Sequence, residues 1–109
     1  MKSRFRARST RYIREIPALY RIVGEKTWQR GRTINISESG VLLQAAAHLP
    51  FHARVEMTFQ LPEAIGKFPA GQLTVVGEVV RHAPSTESIP YPVAARFVQF
   101  LDPRSSLVP

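Results

Sequence analysis

The chain predicts an all-β fold, a small antiparallel barrel or sandwich of about six strands, on three observations. Short runs rich in β-branched and aromatic residues follow one another, turn residues separate them, and no segment repeats apolar residues at helical spacing. Its 109 residues are enough for one domain and not two. Hydrophobic residues at 44% allow that domain a core of its own.

Taken in order, Arg4 to Arg14 lacks apolar periodicity, and residues 1–16 read as a flexible basic N-terminal arm. Ala18 to Val23 is the first strand, and Gly24-Glu25-Lys26 is a turn. Thr27 to Ile36 mixes Trp28, Thr33, Ile34 and Ile36 with polar residues, as a half-buried strand does. Ser37-Glu38-Ser39-Gly40 interrupts it, and Val41 to Ala46 is the third strand, followed by a loop at Leu49-Pro50-Phe51. Arg54 to Leu61 alternates: Val55, Met57, Phe59 and Leu61 share one face, and Glu56, Thr58 and Gln60 the other. Pro62 to Gly71 is a loop. Leu73 to Arg81 is rich in valine; Leu73, Val75, Val79 and Arg81 share a parity, with Gly77 between them as an expected bulge or barrel bend. Pro84 to Pro90 is a loop, and Val93 to Leu101 is the last strand. The barrel is thus expected over residues 17–102, with 103–109 an unstructured tail. Closure is favoured over a sandwich because it removes unpaired edges.

Several functions are argued against. There is no cysteine, hence no disulfide or thiolate metal site. No apolar run approaches the roughly 18 residues of a membrane helix, and no secretion signal follows the basic start, so a cytoplasmic location without membrane insertion is expected. His48, His52 and His82 lack metal-ligand spacing, Asp102 is the sole aspartate, and the glycines are scattered rather than gathered into a phosphate loop. Neither an enzyme, a metal nor a cofactor is expected.

The charge balance points to an anionic partner. Net charge is +7, and Lys2, Arg4, Arg6, Arg8, Arg11 and Arg14 crowd the first residues with no acid among them. Nucleic acid, a membrane surface, a phosphorylated small molecule or an acidic protein would each satisfy it; so would a solvated tail that binds nothing.

The informative segment is Thr33-Ile34-Asn35-Ile36-Ser37-Glu38-Ser39-Gly40-Val41-Leu42-Leu43. Asn35 and Ser37 are two apart at a strand end, so their side chains point the same way. Gly40 permits a positive φ and lets the chain turn back at once. An amide and a hydroxyl side by side at a barrel mouth, framed by exposed N–H groups, suit the edge of a purine base. Turn chemistry alone would also explain Asn, Ser and Gly here, and spacing does not separate the two. Trp28, Tyr12 and Tyr20 could stack on a base or simply pack.

Together these features resemble the PilZ domain family. Its second motif, Asp/Asn-x-Ser-x-x-Gly, stands intact as Asn35-Ile36-Ser37-Glu38-Ser39-Gly40. Pro17-Ala18-Leu19-Tyr20-Arg21 is similar to the family's first strand, Gly77-Glu78-Val79-Val80-Arg81 to its valine-rich strand, and Ala95-Arg96-Phe97-Val98-Gln99-Phe100 to its closing strand. The first motif, Arg-x-x-x-Arg, is met literally by Arg4 and Arg8, or in a shifted register around Arg8 and Arg11. The resemblance implies a six-stranded antiparallel barrel and a receptor for the bacterial second messenger cyclic di-GMP. The arginines would grip guanine and phosphate, Asn35, Ser37 and Gly40 would form the other ligand-binding side, and the arm would order over the nucleotide. It also implies a downstream protein partner or neighbouring domain. The alternatives are a PilZ-like interaction module of a motility or secretion system that does not bind the nucleotide, and a nucleic-acid-binding barrel. The last is disfavoured because few aromatic residues lie among the basic ones on the strands.

Overall fold

Seven strands form over residues 12–101, the part of the chain that the computed structural model describes: β1 (Tyr12–Ile13), β2 (Pro17–Ile22), β3 (Gln29–Ile36), β4 (Gly40–Gln44), β5 (Arg54–Leu61), β6 (Gly71–His82) and β7 (Pro92–Leu101). All pairings are antiparallel. The order β1-β3-β2-β5-β6-β7-β4, with β3 also pairing β4, closes six strands into a barrel and leaves β1 as an outer strand. No helix occurs among the described residues.

The expected strands appear, with ends shifted by a residue or two. β5 follows its alternation: Val55, Met57, Phe59 and Leu61 are buried, while Arg54 and Gln60 are exposed. Ala18 and Tyr20 of β2 face the same core, with Ile36, Val41, Leu43, Val75, Val79, Val93, Ala95 and Phe97. Tyr20 is a core residue, and its hydroxyl accepts a hydrogen bond from the Ala46 N–H at 2.7 Å. Trp28 lies under the Arg21 guanidinium, 4.3 Å from the ring centroid, and Tyr12 packs against the core. None of the three aromatics forms a free stacking platform.

Three bulges shape the wall. β3 bulges between Thr33 and Asn35, β6 between Val79 and Arg81, and the β6–β7 register shifts at Val76 and Gly77, where a bend was expected. A bulge re-aims the side chains beyond it. The parity that linked Arg81 to Val75 and Val79 is therefore broken: the two valines are buried and Arg81 is exposed.

The end of the basic arm is part of the fold, which corrects its reading as flexible up to residue 16. β2 leaves β3 at Arg32, and β1 takes over that edge, with Ile13 opposite Asn35 and Tyr12 opposite Ile36. Thr33 fastens the connection. Its hydroxyl donates to the Arg14 carbonyl and accepts from the Ile16 N–H at 2.8 Å, while its own N–H donates to the Ile16 carbonyl at 2.9 Å. Arg14 Nε donates to Glu63 at 2.7 Å. A pairing of two residues is too short to leave a period in the sequence.

Candidate functional site

The turn between β3 and β4 carries the Asn-x-Ser-x-x-Gly motif, and its own hydrogen bonds hold it. The Ser37 N–H donates to the Gly40 carbonyl at 2.9 Å, and the Ser39 N–H donates to Ser37 Oγ at 3.2 Å. Ser37 is only 6% exposed, and its Oγ also lies 3.2 Å from Ser39 Oγ. The N–H groups of Ser37 and Ser39, expected to frame the site, are thus taken up inside the turn. Two outside contacts fasten it. The Phe97 N–H donates to the Ser39 carbonyl at 2.8 Å, and the Lys67 N–H donates to the Glu38 carboxylate.

Gly40 does not use the positive φ that glycine permits. Close approach is the reason for glycine: a Cβ there would stand 2.5 Å from the Ala95 carbonyl oxygen of β7. Any side chain would push β4 off its neighbour.

Asn35, Ser37, Ser39 and Gly40 line one groove of about 250 Å³ together with Leu42, Val80, Arg81, Ala94 and Arg96. Two rows of cross-strand partners build its floor and walls. One runs Arg81–Ala94–Leu42–Asn35 across β6, β7, β4 and β3. The other runs Arg54–Glu78–Arg96–Gly40 across β5, β6, β7 and β4. Directly opposed side chains on one sheet face interact. Here the first row sets an amide and a guanidinium at the ends of a low floor, and the second sets a guanidinium on the strand opposite Gly40.

The second row is an ion ladder. Glu78 Oε1 accepts from Arg96 Nη2 at 2.7 Å, and Oε2 lies 3.1 Å from His52 Nδ1. The His52 hydrogen bond, followed by the Arg96 contacts and the charge of Arg54, holds the Glu78 carboxyl below its usual range; partial burial opposes them. His52 sits at φ 70°, with its N–H on the Val79 carbonyl at 2.9 Å. His48 and His82 stack at 4.6 Å between ring centroids, away from this row. Among the described residues no three His, Cys, Asp or Glu side chains gather as metal ligands.

The structure thus brings Asn35, Ser37 and Gly40 together. Arg4, Arg8 and Arg11 lie outside the described residues. Sequence reasoning missed Ser39, Arg81 and Arg96. Arg96 is the outward residue between inward Ala95 and Phe97, a signal open to parity counting, but its place beside Gly40 needed the register.

A scan against protein-family models matches residues 5–107 to the PilZ domain. Searches of curated proteins and of solved structures each found no match.

Proposed function

This chain belongs to the PilZ domain family, a family of ligand-binding effector domains that in general bind cyclic di-GMP, and we propose that it is itself a cyclic di-GMP receptor in bacterial second-messenger signalling, working in the cytoplasm and catalysing no reaction. One observation carries the reading. The intact motif sets Asn35 and Ser37 on a single groove whose charged lining residues, among the described residues, are Arg81 and Arg96. The Asn35 amide offers a donor and an acceptor to a guanine edge, and arginine forks match phosphate oxygens and the guanine O6/N7 edge.

The arm joins at the right place. Tyr12 lies opposite Ile36, the residue before Ser37. Arg11 is therefore one residue from the motif's strand end. An extended chain covers at most about 3.6 Å per residue, so Arg8 comes within roughly 14 Å of Tyr12 and Arg4 within roughly 29 Å. Both candidate pairs, Arg4 with Arg8 and Arg8 with Arg11, therefore stay within reach of the turn. Ordering of the arm over bound nucleotide would then be the signal, driven by charge-assisted hydrogen bonds.

The test is isothermal titration with cyclic di-GMP, with GTP as control, on wild type and on the Ser37→Ala and Arg8→Ala variants. Wild type is expected to bind saturably. Ser37→Ala should weaken binding and Arg8→Ala should weaken it more, the loss of a charged hydrogen bond being worth about 1.5–3 kcal/mol, a factor of roughly ten or more. Circular dichroism checks that both stay folded. No binding by folded wild type defeats the reading. The search would then turn to a protein partner, for which the half-exposed Phe100, 5.5 Å from Phe68 between ring centroids, offers an apolar surface.

A further inference from the structure

Two arginines outside the motif border its groove, and among the described residues no carboxylate lines it. Arg81 stands at the far end of the row from Asn35, three strand spacings or roughly 14 Å away. Arg96 stands opposite Gly40, whose missing side chain lets β7 come close to β4. A guanidinium carries five N–H donors in a planar fork. The Glu78 carboxylate engages Arg96 through Nη2 at 2.7 Å, a single one of the guanidinium nitrogens. The anchor is tucked in and the anchored group is open: the side chain of Glu78 is 17% exposed and that of Arg96 is 59%.

Glu78 is itself held. His52 meets its second oxygen at 3.1 Å, and His52 is pinned to β6 through the Val79 carbonyl in a left-handed backbone conformation that a non-glycine residue seldom adopts without support. From Phe51-His52 to Arg96 the contacts form a chain that ends on the groove.

Resting on the receptor reading above, we infer that Arg96 and Arg81 form a cationic wall that takes the phosphates of the bound dinucleotide, and that Glu78 is the positioning residue that aims Arg96. This is a third contact set, beyond the arm arginines and the Asn-x-Ser-x-x-Gly turn. Arginine is suited to it because its fork pairs with two phosphate oxygens at once, as lysine's point charge does not.

The two roles of Glu78 predict opposite signs. If it acted only through its charge, Glu78→Gln would make the groove more positive and tighten binding of an anion. If it positions Arg96, the same variant loosens the guanidinium and weakens binding. The experiment is titration of the full chain with cyclic di-GMP for wild type, Arg96→Ala, Arg96→Lys, Arg81→Ala, Glu78→Gln and the Arg96→Ala/Glu78→Gln double variant, with thermal melts to check folding. Arg96→Ala should weaken binding about tenfold or more, the scale of a lost charged hydrogen bond, and Arg96→Lys should recover only part of it. Arg81→Ala should weaken it several-fold. Glu78→Gln should weaken it several-fold alone and add nothing in the Arg96→Ala background, since the cycle isolates coupling between the two. Unchanged affinity in Arg96→Ala, or tighter binding by Glu78→Gln, overturns this inference while leaving the receptor reading standing. No binding by wild type overturns both.

Discussion

Two concavities among the described residues of the outer wall invite comparison, and the larger of the two is the less specialised. A trough of about 850 Å³ crosses β4, β3, β2, β5 and β6, lined by Gln44, Arg32, Arg30, Leu19, Thr58, Gln60 and Gln72. Its strands pair here in regular register, Arg32 with Gln44 and Pro17, Thr58 with Thr74, and Gln60 with Gln72. Its polar groups largely satisfy one another or the nearby backbone: Thr58 Oγ1 lies 3.1 Å from Thr74 Oγ1, and Gln44 Nε2 donates to the Ser88 carbonyl at 3.1 Å. The groove of about 250 Å³ is built differently. It sits between the β3 and β6 bulges and a turn that is fastened from two sides. Irregular backbone is what gathers Asn35, Ser37, Arg81 and Arg96 into one place. Size alone would have chosen the other concavity.

The sharpest way to break the comparison is to push on the glycine that lets the groove exist. Gly40 and Gly77 both flank Ala95, from opposite neighbouring strands. A Cβ at Gly77 would meet the end of the Met57 side chain at 2.6 Å, which can swing away; one at Gly40 would meet a backbone oxygen that cannot. Gly40→Ala should therefore destabilise by about 1–3 kcal/mol, as overpacking does, and abolish nucleotide binding. Gly77→Ala should cost less, because Met57 can repack. Thermal or urea unfolding of both variants decides it, and equal losses would mean that β4 can drift from β7.

That glycine also marks where the sequence was readable and where it was not. The strands announced themselves because their inward residues alternate, Val55 to Leu61 most plainly, and the motif announced its own turn. Gly40 could be singled out, but the reason for it lies on Ala95, more than fifty positions away, and no local rule reaches that far. Arg81 shares a parity with Val75 and Val79 in the sequence but not a face in the fold, because a bulge inserts one unpaired residue and inverts the parity beyond it. β1 was invisible because two residues cannot show a period. Long-range register, rather than local preference, is what the sequence withheld.

The next effect is electrostatic and reaches the groove through Glu78. Its folded carboxyl is lowered by His52 first, then by Arg96 and Arg54. A lowered folded value means that the contribution is whole above the ordinary carboxylate range and fades as pH falls through the folded value. The melting difference between wild type and Glu78→Gln should accordingly be constant around neutral pH and vanish in acid. His52→Ala should raise the Glu78 value toward the ordinary one, which carboxyl NMR of the side chain can follow. No movement would mean that Arg96 and Arg54 set it.

The smallest expected effect is the most useful one for the comparison. Arg30 and Arg32 line the trough and carry the same charge as Arg81 and Arg96, with Arg32 only 4.0 Å from Glu15 in an exposed pairing. If net charge alone drew the nucleotide, removing two arginines anywhere on the wall would weaken binding alike, and by an amount that salt erases. If the groove binds through aimed donors, Arg30→Ala/Arg32→Ala should leave affinity within about twofold, below the roughly 1 kcal/mol that exposed charges carry at most, while Arg81→Ala/Arg96→Ala should cost far more at the same net charge. Titrating both double variants at low and high salt compares them directly. Equal losses at low salt that disappear together at high salt would make the groove no more than part of a basic surface.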